Sequence, residues 1–179
     1  MSYPTRDAFV HVGTWDDETR KHPAMKWMED YTINFNKRGN WSQEECDWTS
    51  ADATLVKPDG SVHTGNAQAF SEAKGMYAPF SQEFHEPYFL VCFDTDEGWE
   101  MIGQAYLFAN CQGSPTAQEK KVQDLQGREW DVKIPGGFHF VYAKQQGAPH
   151  DGIVLKRTEI MSDSMPAVQI LMARGVLKL

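Results

Sequence analysis

The chain has 179 residues, 41% hydrophobic and 23% charged, a length and composition that suit one domain with its own core and exclude a disordered chain. A formal net charge of -8 and a pI near 5.2 exclude the clustered basic surface on which nucleic-acid binding relies. No run approaches the roughly 20 apolar residues of a spanning helix, so no membrane partner is expected.

Residues 1–21 carry few periodic apolar positions and read as an N-terminal arm with one short helical turn. The start MSYPTRDAF lacks the apolar core of a signal peptide, so a cytoplasmic protein is expected. From His22 the pattern changes. Met25, Met28, Thr32 and Phe35 recur at spacings of three and four, which predicts an amphipathic helix ending at Gly39 as its C′ glycine. Asn40, Trp41 and Ser42, followed by Gln43, Glu44 and Glu45, read as the capped, acidic start of a short helix running to Thr49. Ala53–Val56 reads as a strand that stops at Pro58, Asp59 and Gly60, with Val62–Thr64 pairing back across that turn. Ala67, Phe70, Ala73 and Tyr77 then mark a third helix, interrupted by Gly75.

Beyond Ser81 the period becomes two. FHEPYFLVCF and WEMIGQAYLFANC, joined by a turn at DTDEG, predict an antiparallel hairpin. Residues 112–127 read as a polar loop, GREWDVKIPGGFHFVYAK and DGIVLKRTEI as two more strands, and PAVQILMARGVL as a closing helix. Helices first and a long antiparallel sheet after make the fold class α+β. Three unpaired cysteines, Cys46, Cys92 and Cys111, argue for reduced, partly buried thiols, against a disulfide framework and against a zinc ribbon.

Several phrases together, FNKRGNW, ADATLVKPDGSVHTG, FHEP, GWEMIGQAYLFANC and DGIVLKRTEI, resemble the nuclear transport factor two-like superfamily. That group includes SnoaL-like polyketide cyclases, ketosteroid isomerase, scytalone dehydratase and limonene epoxide hydrolase. The resemblance spans residues 22–175 and extends to fungal enzymes of secondary metabolism. It implies a single cone-shaped domain over 22–179: a strongly curved antiparallel sheet wrapped around three helices of the N-terminal half, with a short C-terminal helix. It also implies a pocket at the open end and homodimers packed through the outer sheet face. The family's catalytic sets do not transfer. The position of the isomerase base is Lys57, that of its oxyanion-hole acid is His139, and those of the epoxide hydrolase Arg and Asp are Gln104 and Tyr106.

Three residues are candidate catalysts. His139 alternates with Phe138, Phe140 and Tyr142, and an inward imidazole can act as general acid or base near pH 7; a core histidine bonded to a neighbouring strand is the plain alternative. His85, grouped by parity with Pro87, Phe89 and Val91, resembles the pocket histidines of scytalone dehydratase. Tyr106 shares a face with Gln104, Phe108 and Asn110 and can donate to a developing enolate, while Gly103, Ala105, Leu107 and Ala109 fill the other face. Candidate substrate contacts are Tyr31, Arg38, Lys57, Gln104, Phe108, Asn110, Trp130 and Asp131, with Asp131 placed to orient a histidine. No histidine pair has metal-site spacing and no phosphate-binding glycine loop occurs, so neither a metal nor a cofactor is expected. Together these features predict a cofactor-independent isomerase, cyclase or dehydratase of a hydrophobic polycyclic compound; the alternative is a noncatalytic binding or dimerisation module.

Overall fold

In the computed structural model, which describes residues 6–178, the alternating stretch after residue 80 resolves into four long strands: β4 (Phe80–Asp94), β5 (Gly98–Cys111), β8 (Val132–Lys144) and β9 (Ile153–Ser162). Each pairs antiparallel with the next, through short turns between β4 and β5 and between β8 and β9 and a long connection between β5 and β8. The sheet is completed by β1 (Ala8–Val12) at one edge and by β2 (Thr49–Val56) and β3 (Val62–Thr64) at the other, in the order β1-β4-β5-β8-β9-β2-β3. Among the described residues only the β2–β9 pair is parallel. A two-residue ribbon, β6 (Val122–Gln123) with β7 (Glu129–Trp130), folds over the outer face.

Two helices fill the concave side. Helix α1 (Pro23–Asn36) has Pro23 at its first turn, where a missing N–H costs nothing, and buries Met25, Trp27, Met28 and Phe35. Trp27 Nε1 donates to Ile153 O at 3.0 Å, which pins α1 to β9. Helix α2 (Asn66–Tyr77) packs against β2. A single turn, α3 (Pro149–Gly152), and helix α4 (Met165–Ala173) follow. The main core gathers Trp27, Trp48, Leu90, Met101, Phe140 and Tyr142 between the helices and the sheet. The α+β class expected from the order of elements is therefore present, as is the cone that the resemblance implied.

Three expectations are corrected. The arm contributes an edge strand: Ala8–Val12 pairs with Val12 opposite Phe89 and Ala8 opposite Phe93. The helix expected over residues 41–49 is absent, because partners outside the segment take its backbone groups. Asn66 bonds both the N–H and the carbonyl of Cys46, and Lys74 Nζ donates to the carbonyls of Trp41 and Gln43. The left-handed residue after α1 is Arg38, with φ +55°, and not Gly39. That conformation is offset by the guanidinium, which donates to the buried Glu83 carboxylate at 2.8 and 3.3 Å and to the Phe80 carbonyl at 2.7 Å.

Candidate active site

Between the concave face of the sheet, α1, α2 and α4 lies a cavity of about 720 Å³. Its existence follows from one row of the sheet. Pro87, Ala105, Gly136 and Ser162 stand in register across β4, β5, β8 and β9, and all four line the space. Small side chains along that row leave a hollow that larger ones would fill. One row away, Gly103 lets the Phe138 ring cross the sheet; a Cβ there would lie 2.6 Å from Phe138 Cζ. Aromatic walls come from Tyr31, Phe35, Phe70, Phe138 and Phe140.

His85 projects from β4 into this cavity. Its Nδ1 lies 2.8 Å from Asn36 Oδ1, at the end of α1, and its Nε2 lies 2.9 Å from Tyr77 Oη, at the end of α2. An amide oxygen only accepts, so Nδ1 carries the proton and Nε2 accepts from the Tyr77 hydroxyl. Burial drives the His85 pKa down to about 4 and raises that of Tyr77. Both groups are therefore neutral at pH 7. Glu83, two residues earlier on the same strand, is buried and raised by desolvation, and Arg38 answers its charge.

The parity of β4 depends on a bulge. Register shifts between Pro87 and Phe89, so His85 and Pro87 face inward and so do Leu90 and Cys92, while Val91 turns outward opposite Val10 and Ile102. The expected grouping of His85 with Phe89 and Val91 fails for this reason. Proline lacks the ladder donor, and a bulge is where the sheet accommodates it.

The other predicted residues divide clearly. Tyr31 lines the cavity, stacked on Trp27 at 5.4 Å, and its pKa is raised by burial. Lys57 lines the mouth but is ion-paired with Glu72 at 2.9 Å. Arg38 stands behind the wall, bonding the carbonyl of Tyr77 at 3.4 Å as well as Glu83. His139 is on the outer face, with Nε2 2.9 Å from Glu100 Oε2 and Nδ1 3.9 Å from Glu159. Alternation forces this, because Phe138 and Phe140 take the inner side. Tyr106 is also outside, stacked on Tyr88 at 4.5 Å with Lys133 Nζ 3.6 Å above its ring. Gln104 is exposed beside it. The face taken from residue polarity as the pocket is the outer one; the small residues Gly103 and Ala105 face in.

Phe108 is buried under the β6–β7 ribbon, whose own Trp130 lies 6.4 Å from it, buried, with Nε1 donating to Asp124 at 2.9 Å. Asn110 Oδ1 accepts from the Asp131 N–H at 3.3 Å. Asp131 holds Lys121, Arg174 and the Cys111 N–H and orients no histidine. Two residues of the site were not singled out in the sequence. Asn36 stands four residues after Thr32 on the buried stripe of α1, a polar residue where the stripe calls for an apolar one. Tyr77 falls on the apolar stripe of α2, where its hydroxyl gives no signal of its own. Among the described residues, no cluster of three or more His, Cys, Asp or Glu could hold a metal ion.

No family model and no curated protein matches the sequence. Solved structures do. LinA, a hexachlorocyclohexane dehydrochlorinase, superposes with a TM-score of 0.56 at 15% identity, covering 82% of this chain and 90% of its own. An uncharacterised protein with a cystatin-like fold from Caulobacter vibrioides gives 0.54 at 10% identity, covering 86% and 97%. Aln2 from a Streptomyces species gives 0.53 at 12% identity, covering 87% and 99%. The chain shares the fold of these structures, the α+β cone that its sequence resemblance implied. Within that fold the cavity lies inside the cone, and His85 sits in its wall.

Proposed function

We propose that the protein is a cofactor-independent enzyme that moves protons on a hydrophobic small molecule held in the cone. The observation that carries this reading is the Asn36–His85–Tyr77 chain of hydrogen bonds set in a largely apolar cavity. In it Tyr77 meets the substrate, His85 takes or returns the proton, and Asn36 is a positioning residue that fixes the imidazole tautomer. Tyr31, on the same wall, orients the ligand. Isomerisation, cyclisation, rearrangement and elimination of water all need such a pair. The dehydrochlorinase name of LinA supports elimination as one chemistry that this fold can host. Secondary metabolism, where hydrophobic ring compounds are remodelled without cofactors, is the setting we propose. The outer sheet face, with Val10, Val12 and Ile102 exposed, is the surface we propose for a homodimer.

A noncatalytic binding module is the second reading, because both ring nitrogens of His85 already have protein partners. Turnover separates the two. A panel of hydroxylated and keto ring compounds is incubated with the wild type and with His85→Gln, and products are followed by chromatography. Loss of about 100-fold or more in the variant fits acid–base catalysis. Ligand binding without turnover by the wild type would leave the module.

A further inference from the structure

Three hydroxyls in the cavity wall are held with one polarity. Tyr77 gives its proton to His85 Nε2, at 2.9 Å. Thr32 Oγ1 gives its proton to the α1 backbone, 2.9 Å from the carbonyls of both Met28 and Glu29. Thr49 Oγ1 donates to the Cys46 carbonyl at 3.2 Å. Each of these three wall residues therefore offers lone pairs, and none offers a proton, to whatever occupies the space. Tyr31, Thr54, Thr158, Ser162 and Ser164 also line it, with rotatable hydroxyls that serve either kind of group. The fixed hydroxyls set the preference, and Tyr77 sets it at His85.

The wall is also closed to anions. Its two lysines are already answered, Lys57 by Glu72 at 2.9 Å and Lys156 by Glu97 at 3.3 Å. Arg38, behind the wall, is held by Glu83 at 2.8 Å. Asp59 and Asp163 add negative charge to the lining, and the chain carries -8 overall. A carboxylate or phosphate entering the apolar interior would lose its hydration and meet no free positive charge among the described residues.

We infer that the ligand is an uncharged ring compound that presents a hydroxyl as hydrogen-bond donor, a phenol or an enol, to Tyr77 Oη. This rests on the proposed function and names the substrate class for that same site. The chemistry agrees with it. His85, backed by an amide instead of a carboxylate and held near pKa 4, is a weak base and suits an O–H already acidified by a ring or by conjugation. The ligand O–H bond breaks as its proton goes to Tyr77 Oη, while the proton of Tyr77 passes to His85 Nε2. Return of one proton to a ring carbon, with collapse of the enolate to the ketone, restores both side chains and changes neither composition nor oxidation state.

The test is calorimetric titration at pH 7 with four naphthalene probes: 2-naphthol, 2-methoxynaphthalene, 2-acetylnaphthalene and 2-naphthoate. The wild type should bind 2-naphthol about tenfold more tightly than the methoxy, acetyl or carboxylate compound, the worth of one good hydrogen bond. In His85→Phe the Tyr77 proton is released toward the cavity, so the order should reverse in favour of 2-acetylnaphthalene. Thermal melting checks that this variant folds, and the wild-type ranking decides the matter if it does not. Equal binding of naphthol and methoxynaphthalene, or tightest binding of naphthoate, would overturn the substrate class and leave the cavity as a ligand site. Failure of all four probes to bind would overturn the ligand-binding cavity itself, and this inference with it.

Discussion

His85 is a histidine that never charges in the neutral range, and that can be measured. Its imidazole should titrate near pH 4 in a proton–carbon correlation spectrum, well below the 6.5 of a free side chain. Between those two values the unfolded chain binds a proton that the native chain refuses. The contribution to stability is therefore complete above pH 6.5 and is lost as the pH falls toward 4, by up to about 3 kcal/mol at ~1.4 kcal/mol per pH unit. Urea titrations across pH 4–7, compared with His85→Gln, should show the wild type alone losing this increment. Asn36→Asp should raise the His85 pKa by about 1–3 pH units, because a carboxylate on Nδ1–H favours the imidazolium; an unchanged titration would remove Asn36 from its positioning role. Burial also raises the thiols, Cys46 and Cys111 to about 11 and Cys92 to about 12, so the native protein should resist thiol reagents at pH 8 until it is denatured.

At the scale of elements, periodicity revealed the strands but not their orientation. The four long strands were legible because aromatic and β-branched residues alternate through them. Which face of β5 looks inward was not, since Tyr106, Phe108 and Asn110 have the chemistry of a pocket and Gly103 and Ala105 have the size of one. Size decides, because a hollow needs small residues on its wall. The proline in FHEP is the local sign of the bulge, whereas the packing of the ribbon over Phe108 depends on contacts distant in sequence and leaves no local pattern. Ala105→Leu should fill part of the hollow, raising the melting temperature by a few degrees and weakening 2-naphthol binding more than about tenfold. At the end of α4, the Arg174 side chain is 1% exposed and bonds Asp131, Glu119 and the Cys111 carbonyl. Arg174→Met leaves Asp131 with Lys121 as its one cation beside the Cys111 N–H and should destabilise by about 3–5 kcal/mol in denaturant titration.

For the whole molecule, the outer face combines apolar Val10, Val12 and Ile102 with the ionic group of Glu100, His139, Glu159 and Arg157. If that face joins two copies, light scattering should report about twice the 20.3 kDa chain mass, and Ile102→Lys should halve it; a wild-type monomer at micromolar concentration would leave the face without a second copy. The parallel pairing of β2 with β9 has a consequence of another kind, for the order in which the chain can be finished. A ribosome releases β2 early, and its parallel neighbour β9 emerges only after everything from Lys57 to Gly152 has been made. At about 5–20 residues per second that interval lasts several seconds. During it α1 can pack on β4, but Trp27 still lacks the Ile153 carbonyl that pins the helix to β9. The meander of β4, β5, β8 and β9 is built from successive neighbours and forms as it is made, so the cone closes last, at the seam where β2 meets β9.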